Sequence, residues 1–476
     1  MTTLARTSTF RAELVATARL AAPLAIANLL QMAVYASDVM FISRLGAKQL
    51  AASSLAVAII ALLMMGLNGL TGAVAPLIAA ELGRRRHAVR EVRRSTRMAM
   101  WLAVGLGVVC MGVCLMGGSI MRATGQDPQV VALSSRFLAV LSISVIPMAI
   151  GNVLRTFVSA LGRPVFATVI TGLEILTNVI GNYALVFGHF GLPALGLDGA
   201  AASSISTAIV TVFAYALAIR MDRRLHRYRI FGRWWRPEWV RARQMLALGL
   251  PIAATLMAEG GLFSAAAFLM GRIGEMQLAA HAIALQIASF AFMVPFGVGQ
   301  AATIRVGYSY GAGDRAGVAR AGWASIAIGM AFMVVSASLM LLAPGAIVSL
   351  YLDPHQAKNA ALVGFALEFL FVAAIFQLTD GLQAVVAGVL RGIQDTRVPF
   401  LIALLGYWVA GFGTSAALAF WTPLGGLGVW IGLAVGLTVA AILLLARWMR
   451  RDAIMARHPD MAEPPMPVPA PEFSPV

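Results

Sequence analysis

Arg44-Leu-Gly-Ala-Lys-Gln-Leu-Ala-Ala52 returns 228 residues later as Arg272-Ile-Gly-Glu-Met-Gln-Leu-Ala-Ala280. Both copies fall between two long apolar runs. The same offset pairs Pro23 with Pro251, Gly69 with Gly297 and Gly83 with Gly311, and no gap is needed. Further on, Arg163-Pro-Val-Phe166 resembles Arg397-Val-Pro-Phe400 after a small shift. Chance similarity in an Ala/Leu-rich chain does not account well for matched Pro, Arg, Gly and Gln positions. The chain therefore reads as two related halves.

Each half is apolar almost throughout. The 476 residues are 60% hydrophobic and 12% charged, with a mean hydropathy of +0.84. A soluble domain carries about 25% charged residues. Runs of 18 or more apolar residues are long enough to cross a bilayer as helices. Twelve are expected, at about 17–42, 50–80, 96–119, 133–157, 165–187, 197–220, 244–271, 279–307, 319–342, 359–389, 399–420 and 424–447. Six spans per half is an even number, so both halves enter the membrane from the same side and the repeat is parallel. Parallel repeats relate two bundles about an axis along the membrane normal, a plan of transporters that alternate access to a cavity between the bundles. The expected fold is all-α: a polytopic membrane protein with twelve transmembrane helices in two six-helix bundles. Its expected parts are an N-terminal segment (1–16), a first bundle (17–220), a basic linker (221–243), a second bundle (244–447) and a basic, then Pro-rich tail (448–476) that is extended or disordered. No cleavable leader is expected, since Thr2–Glu13 is polar and the first apolar run is long enough to span.

The net charge of +16 is spread over the loops rather than gathered on one patch, which argues against a nucleic-acid partner. The loops after even-numbered spans are basic. Arg84, Arg85, Arg86, Arg90, Arg93, Arg94 and Arg97 follow the second, and Arg220 to Arg243 contribute nine arginines after the sixth. The loops after odd-numbered spans hold little. The positive-inside rule then puts both termini in the cytoplasm and the chain in the cytoplasmic (inner) membrane. Trp234, Trp235 and Trp239 among the central arginines suggest a segment at the lipid headgroups, the alternative being a solvated linker. Cys110 and Cys114, the only cysteines, share a helix face and read as small packing residues.

Against this background three carboxylates stand out. Asp38, Glu259 and Asp380 each lie inside an apolar run. A charge at the bilayer centre costs roughly 2.5–3.5 kcal/mol on insertion scales, so such groups face cavities or polar partners and mark ion, proton or substrate paths. If Glu259 and Asp380 share a cavity, their mutual repulsion suits them to take up a proton or a cation. Asn178 and Asn182 are four apart on one helix face, and Glu174 continues their stripe. With Asp38 they outline a second polar site in the first half. The alternative for the asparagines is hydrogen bonding between helices for packing alone. Gln286 and His281 on the eighth span are further candidates to face a cavity in the second half, although a lone intramembrane histidine is more often structural. Gly428, Gly432 and Gly436 are spaced to admit a neighbouring backbone. No Gly-Lys-Ser/Thr phosphate loop, His-Glu-x-x-His or Gly-x-Ser-x-Gly occurs. No catalytic set is visible, so an enzyme is not expected, and an ion gradient is the expected energy source.

Taken in order, Asp38-Val-Met-Phe-Ile-Ser-Arg-Leu-Gly46, Leu248-Gly-Leu-Pro251 followed by Glu259, Ala279-Ala-His281, Ile304-Arg-Val-Gly-Tyr308, Leu390-Arg-Gly392 with Asp395-Thr396, and Gly426-Leu-Gly-Val-Trp-Ile-Gly432 resemble the multidrug and toxic compound extrusion (MATE) transporters, their NorM-like branch in particular. The resemblance spans about residues 15–447. It implies an antiporter that exports cationic and amphipathic organic compounds against Na⁺ or H⁺, without another cofactor, working as a monomer among membrane lipids. It implies Glu259 and Asp380 as the second bundle's cation-site acids, able to hold Na⁺, and Asp38 as the first bundle's acid with Asn178 and Asn182 beside it. Phe376 stands where such proteins often have tyrosine, which leaves a ring face but no oxygen for Na⁺, and Gln286 stands where they often have asparagine. The rival readings are a flippase for lipid-linked precursors, a membrane-embedded enzyme and a channel. The flippase would want a basic cavity, and arginine inside the spans looks scarce.

Overall fold

The computed structural model describes residues 9–84, 88–123, 125, 127–232, 238–352, 356 and 359–456. Trp234, Trp235, Lys358, Arg85, Arg86 and the Pro-rich tail lie outside the described residues. Among the described residues, twelve helices are long and apolar enough to cross a membrane: α1 Phe10–Ser43, α2 Ala47–Arg84, α3 Ala88–Leu115, α4 Pro128–Ala160, α5 Val165–Phe187, α6 Leu197–Met221, α7 Trp239–Ile273, α8 Glu275–Gly311, α9 Arg315–Leu342, α10 Ala360–Gly392, α11 Arg397–Trp421 and α12 Gly426–Met449.

Local chemistry sets their ends. Asp127 caps α4 by accepting from the Gln129 and Val130 amides, with Pro128 in the first turn. The Asp314 carboxylate accepts from the Gly317 amide at 2.8 Å and starts α9. Gly188 ends α5 in the left-handed region. The repeat extends to the backbone: Gly196 before α6 has φ 57 and ψ −126, and Gly425 before α12 has φ 51 and ψ −124, a conformation open essentially to glycine alone.

Several spans start earlier than hydropathy suggests. α3 begins at Ala88 rather than near 96, α4 at Pro128 rather than 133, and α7 at Trp239 rather than 244. The arginine-rich first turns of α3 and α7 are helical because their charges are paired. Arg94 meets Glu91 at 3.2 Å and Glu238 at 2.8 Å, and Arg241 meets Glu81 at 3.3 Å and also Glu91. The basic linker is correspondingly shorter than 221–243 and contains one helical turn, Arg223–His226.

The bundles meet through α1 against α8 and α2 against α7. Lipid offers no hydrophobic drive for helices to associate, so close packing of small residues does the work. A methyl group on Gly69 would sit 2.5 Å from the Ala253 Cα, and one on Gly297 would sit 2.8 Å from the Ala25 Cα. Gly83 lies as closely against Tyr308, and Gly311 against Ala80. Each pair is the image of the other under the 228-residue offset. These contacts seal the interface towards the face that carries the chain ends. Inside the second bundle, Gly432 packs on Ser415 and Gly436 on Gly411 and Gly406, so the glycine stripe of α12 seats α11. There α11 runs as a π-helix over Leu405–Phe412, a form that often marks functional positions.

Candidate functional site

Between the bundles lies a cavity of about 910 Å³. It reaches from Ile304, Pro76 and Arg391 towards Val39, Met40 and Tyr351 at the face opposite the chain ends. Its wall is apolar with amides set into it: Asn28, Gln31, Asn68, Asn152, Gln286 and Gln300, beside Met32, Phe290, Met293 and Phe296. That mixture suits an amphipathic ligand. Among the described residues its lining includes Arg155 and Arg391 and no carboxylate. Arginine inside the spans is thus less scarce than the sequence suggests. Positions near span ends read there as loop charge, and helix packing turns both inward.

The first bundle holds a polar cluster beside this cavity. Asp38 of α1 accepts from the Asn178 amide at 2.8 Å and the Asn182 amide at 2.7 Å, both on α5. Asn182 also donates to the Asn178 oxygen at 3.2 Å, and Ser203 of α6 donates to the Asn178 carbonyl at 3.2 Å. Both asparagines are buried. One α5 turn away, Glu174 accepts from Gln31 at 3.3 Å, and Gln31 in turn lines the central cavity. Arg155 donates to Asn28 at 2.6 Å. Asp38, Asn178, Asn182 and Glu174 are therefore brought together, but behind the cavity wall rather than in it.

The second bundle holds its counterpart. The Gln383 amide donates to Glu259 of α7 at 3.2 Å and to Asp380 of α10 at 3.3 Å, so one side chain gathers both carboxylates. Tyr407, in the π-helical stretch of α11, donates to the Gln383 oxygen at 2.8 Å. The two acids face a site that can hold a proton between them. For Na⁺, the oxygens at hand are the carboxylates, the Gln383 carbonyl oxygen and the Tyr407 hydroxyl. Gln383 and Tyr407 were not singled out from sequence. A glutamine one turn from an intramembrane Asp is a weak signal for the first, and nothing marks the second.

One expectation is corrected, and His281 takes the structural place that a lone intramembrane histidine usually has. Phe376 does not line the polar site; it is buried edge-on against both Phe263 and Trp430 in the apolar core of the second bundle. His281 packs edge-on against Trp430 as well, and neither ring nitrogen has a hydrogen-bond partner. Around Phe376, α10 exposes Phe371 and Ile375 on one face and buries or half-buries the rest, and Phe376 falls on a buried face that meets Phe263 and Trp430. Gln286 lines the central cavity, away from the carboxylate pair. Cys110 and Cys114 are free thiols.

Against known proteins, the MatE family description matches residues 23–184 and again 251–416, the two matches starting at the equivalent prolines. A probable multidrug resistance protein NorM of Mesorhizobium japonicum is 43% identical over 446 residues, covering 94% of this chain and 95% of the relative. Its counterpart in Brucella suis is 41% identical over 451 residues, covering 95% and 96%. Among solved structures, a MOP superfamily transporter from Pyrococcus furiosus superposes with a TM-score of 0.84 at 20% identity, covering 96% of this chain and 98% of that one; at that identity the likeness concerns the fold.

Proposed function

This chain belongs to the MatE family, and from that premise and the site geometry we propose that it is a secondary active multidrug efflux antiporter. It exports cationic and amphipathic organic compounds in exchange for Na⁺ or H⁺. The observation that carries the reading is the pair Glu259 and Asp380, held on one Gln383 amide inside the membrane and one layer behind an amphipathic cavity. A buried carboxylate pair stores a cation or a proton, and a cavity of mixed amide and apolar lining takes a ligand.

The cycle follows from the two-bundle plan. The arginine-rich loops argue for cytoplasmic termini and an inner-membrane location, so the cavity seen here faces outward. An ion entering at Glu259 and Asp380 lowers the hold on the drug, which leaves. The bundles, about 17–220 and 239–447, then rock about the glycine contacts, and the cavity reaches the cytoplasm. Drug binding there displaces the ion. Asp38 with Asn178, Asn182 and Glu174 supplies a second ion or substrate site. Phe376 is turned into the core and gives the C-terminal pair no oxygen, so for Na⁺ the pair relies on its own carboxylates with Gln383 and Tyr407. The transporter acts as a monomer on small organic cations.

One observation favours a second reading. Arg155 and Arg391 in a cavity without acids also suit a lipid-linked phosphate, as a flippase would carry.

Ethidium uptake into proteoliposomes, under an Na⁺ gradient and separately under a pH gradient, tests the proposal. Movement driven by one gradient supports antiport and names the ion. Movement under neither, with transfer of a lipid-linked phosphate between leaflets, replaces it with the flippase.

A further inference from the structure

No carboxylate of either cluster is among the residues that line the central cavity, yet antiport requires ion and substrate to sense each other. We propose that Arg391 couples the charge of the Glu259 and Asp380 pair to the affinity of the cavity for a cationic substrate. The inference rests on the antiport reading and assigns its coupling residue.

Arg391, in the last turn of α10, faces two spaces. It lines the central cavity together with Ile304 and Thr303. It also lines a small pocket shared with Gln383 and Thr396, and Gln383 is the residue that bonds both acids. Its guanidinium makes no direct ion pair among the described residues, and it lies within Coulombic range of Glu259 and Tyr407. Among the other charges on the packed elements, Arg320 of α9 meets Asp314 at 3.6 Å and Arg397 at the start of α11 is exposed. Arg305 of α8 is bonded to Glu13 at 2.6 Å, and Arg447 of α12 to Asp395 at 2.9 Å. Asp380 shares Gln383 with Glu259. The charge that Arg391 presents to the cavity is therefore balanced by one acid pair.

The sign of the coupling follows. With the pair ionised, Arg391 is compensated and a cation is tolerated beside it. With a proton or Na⁺ on the pair, the compensation is lost and Arg391 repels the cation. Ion loading then expels a cationic drug, as antiport requires. Long-range Coulomb coupling of this kind is strong where water is scarce.

The experiment measures binding of ethidium to the purified full-length protein at high and low pH and with and without Na⁺. The wild type should bind more weakly when ion-loaded, by a factor of roughly 5–150, the span of typical couplings between sites. Arg391→Gln should bind ethidium and lose that ion dependence, while Arg391→Lys should keep it. Glu259→Gln should bind weakly under all conditions, and Glu259→Gln with Arg391→Gln should restore tight, ion-insensitive binding. The proposal is overturned if Arg391→Gln keeps the wild-type ratio, or if the double variant binds no better than Glu259→Gln. It is overturned too if Arg391→Gln loses ethidium binding, since the guanidinium would then be a ligand contact. A wild type whose binding ignores both ions sinks the antiport reading as well; a gradient-driven wild type with an unchanged Arg391→Gln sinks this inference alone.

Discussion

Glu13 and Arg241 stand 228 residues apart at equivalent places on the first helix of each half, and they carry opposite charges. Each reaches across to the other bundle. Glu13 takes both guanidinium arms of Arg305 on α8, at 2.7 and 2.6 Å, with both partners 3% exposed. Arg241 meets Glu81 on α2 at 3.3 Å. The two positions exchange signs, and their partners differ: Leu77 stands at the repeat equivalent of Arg305, and Ser309 at that of Glu81. The two pairs brace the interface on the face bearing the chain ends, beyond the glycine contacts.

Removing one partner of a buried ion pair costs about 3–5 kcal/mol, because the other charge is stranded. Glu13→Gln should therefore shift the molecule away from the state closed on that face. Spin labels at Arg90 and Ala316, one in each bundle near that face, should separate in Glu13→Gln and return to the wild-type distance when Glu13→Arg is combined with Arg305→Glu. An unchanged distance in Glu13→Gln would show that the glycine contacts alone hold this face shut.

Those contacts can be tested directly. A Cβ at Gly311 would fall 1.9 Å from the Ala80 carbonyl oxygen, too close for any side-chain adjustment to relieve. Overpacking costs typically 1–3 kcal/mol, and here the strain exists only while the bundles are closed. Gly311→Val should leave expression and helicity intact, open this face and reduce efflux by at least about tenfold, as 1.4 kcal/mol is a factor of ten. Wild-type efflux by Gly311→Val would exclude this contact as part of the cycle.

Efflux should also depend on the C-terminal acids. Glu259→Gln and Asp380→Asn each keep the shape and remove the charge that an ion must meet, so transport in cells should fall to the background of an empty vector at normal expression. Tyr407→Phe removes the hydrogen bond that holds Gln383, worth about 0.5–1.5 kcal/mol, and one oxygen within reach of Na⁺. Its efflux should fall by roughly tenfold or less if H⁺ is the coupling ion, and further if Na⁺ is. Near-normal efflux in both acid variants would refute their assignment.

These predictions mix what could be read in the sequence with what could not. Glu259, Asp380 and Asp38 were visible because an ionisable group in an apolar run breaks the expected pattern. Asn178 and Asn182 were visible because they share a face of one helix with spacing that local geometry controls. Gln383, Tyr407, Arg391 and Arg155 were not, since each acquires its meaning from a helix distant in the chain. Arg391 and Arg155 lie close to helix ends, where arginine ordinarily reads as interfacial. Phe376 was placed by resemblance alone, and a phenylalanine in the position of a tyrosine has no hydroxyl to hold it at a polar site, so it packs with Phe263 and Trp430. The parallel repeat was legible throughout, as Pro23, Gly69 and Gly83 keep their partners at one constant offset.

The first bundle offers a test of site against glue. Asp38 accepts from two buried amides at once. Both bonds end on one Asp38 oxygen, so Asp38→Asn keeps the size and an oxygen able to accept both, but removes the charge that strengthens them. If the cluster served packing alone, melting would fall by about 1–3 kcal/mol and efflux would follow stability. As an ion or substrate site, Asp38→Asn should lose efflux while an osmolyte that restores its melting temperature fails to restore transport.

His281 should behave in the opposite way. Its ring lies 5.4 Å from that of Trp430, 1% exposed, with both nitrogens unpartnered. An imidazole in a dry site loses its hydrogen bonds to water and gains none, at a cost of about 1–3 kcal/mol. His281→Phe keeps a ring against Trp430 and removes the unsatisfied atoms, so the melting temperature in detergent should rise and efflux should persist at wild-type pH dependence. Loss of efflux with unchanged melting would mean that this ring takes part in proton movement, and would move the proton path from the Glu259 and Asp380 pair out towards α8.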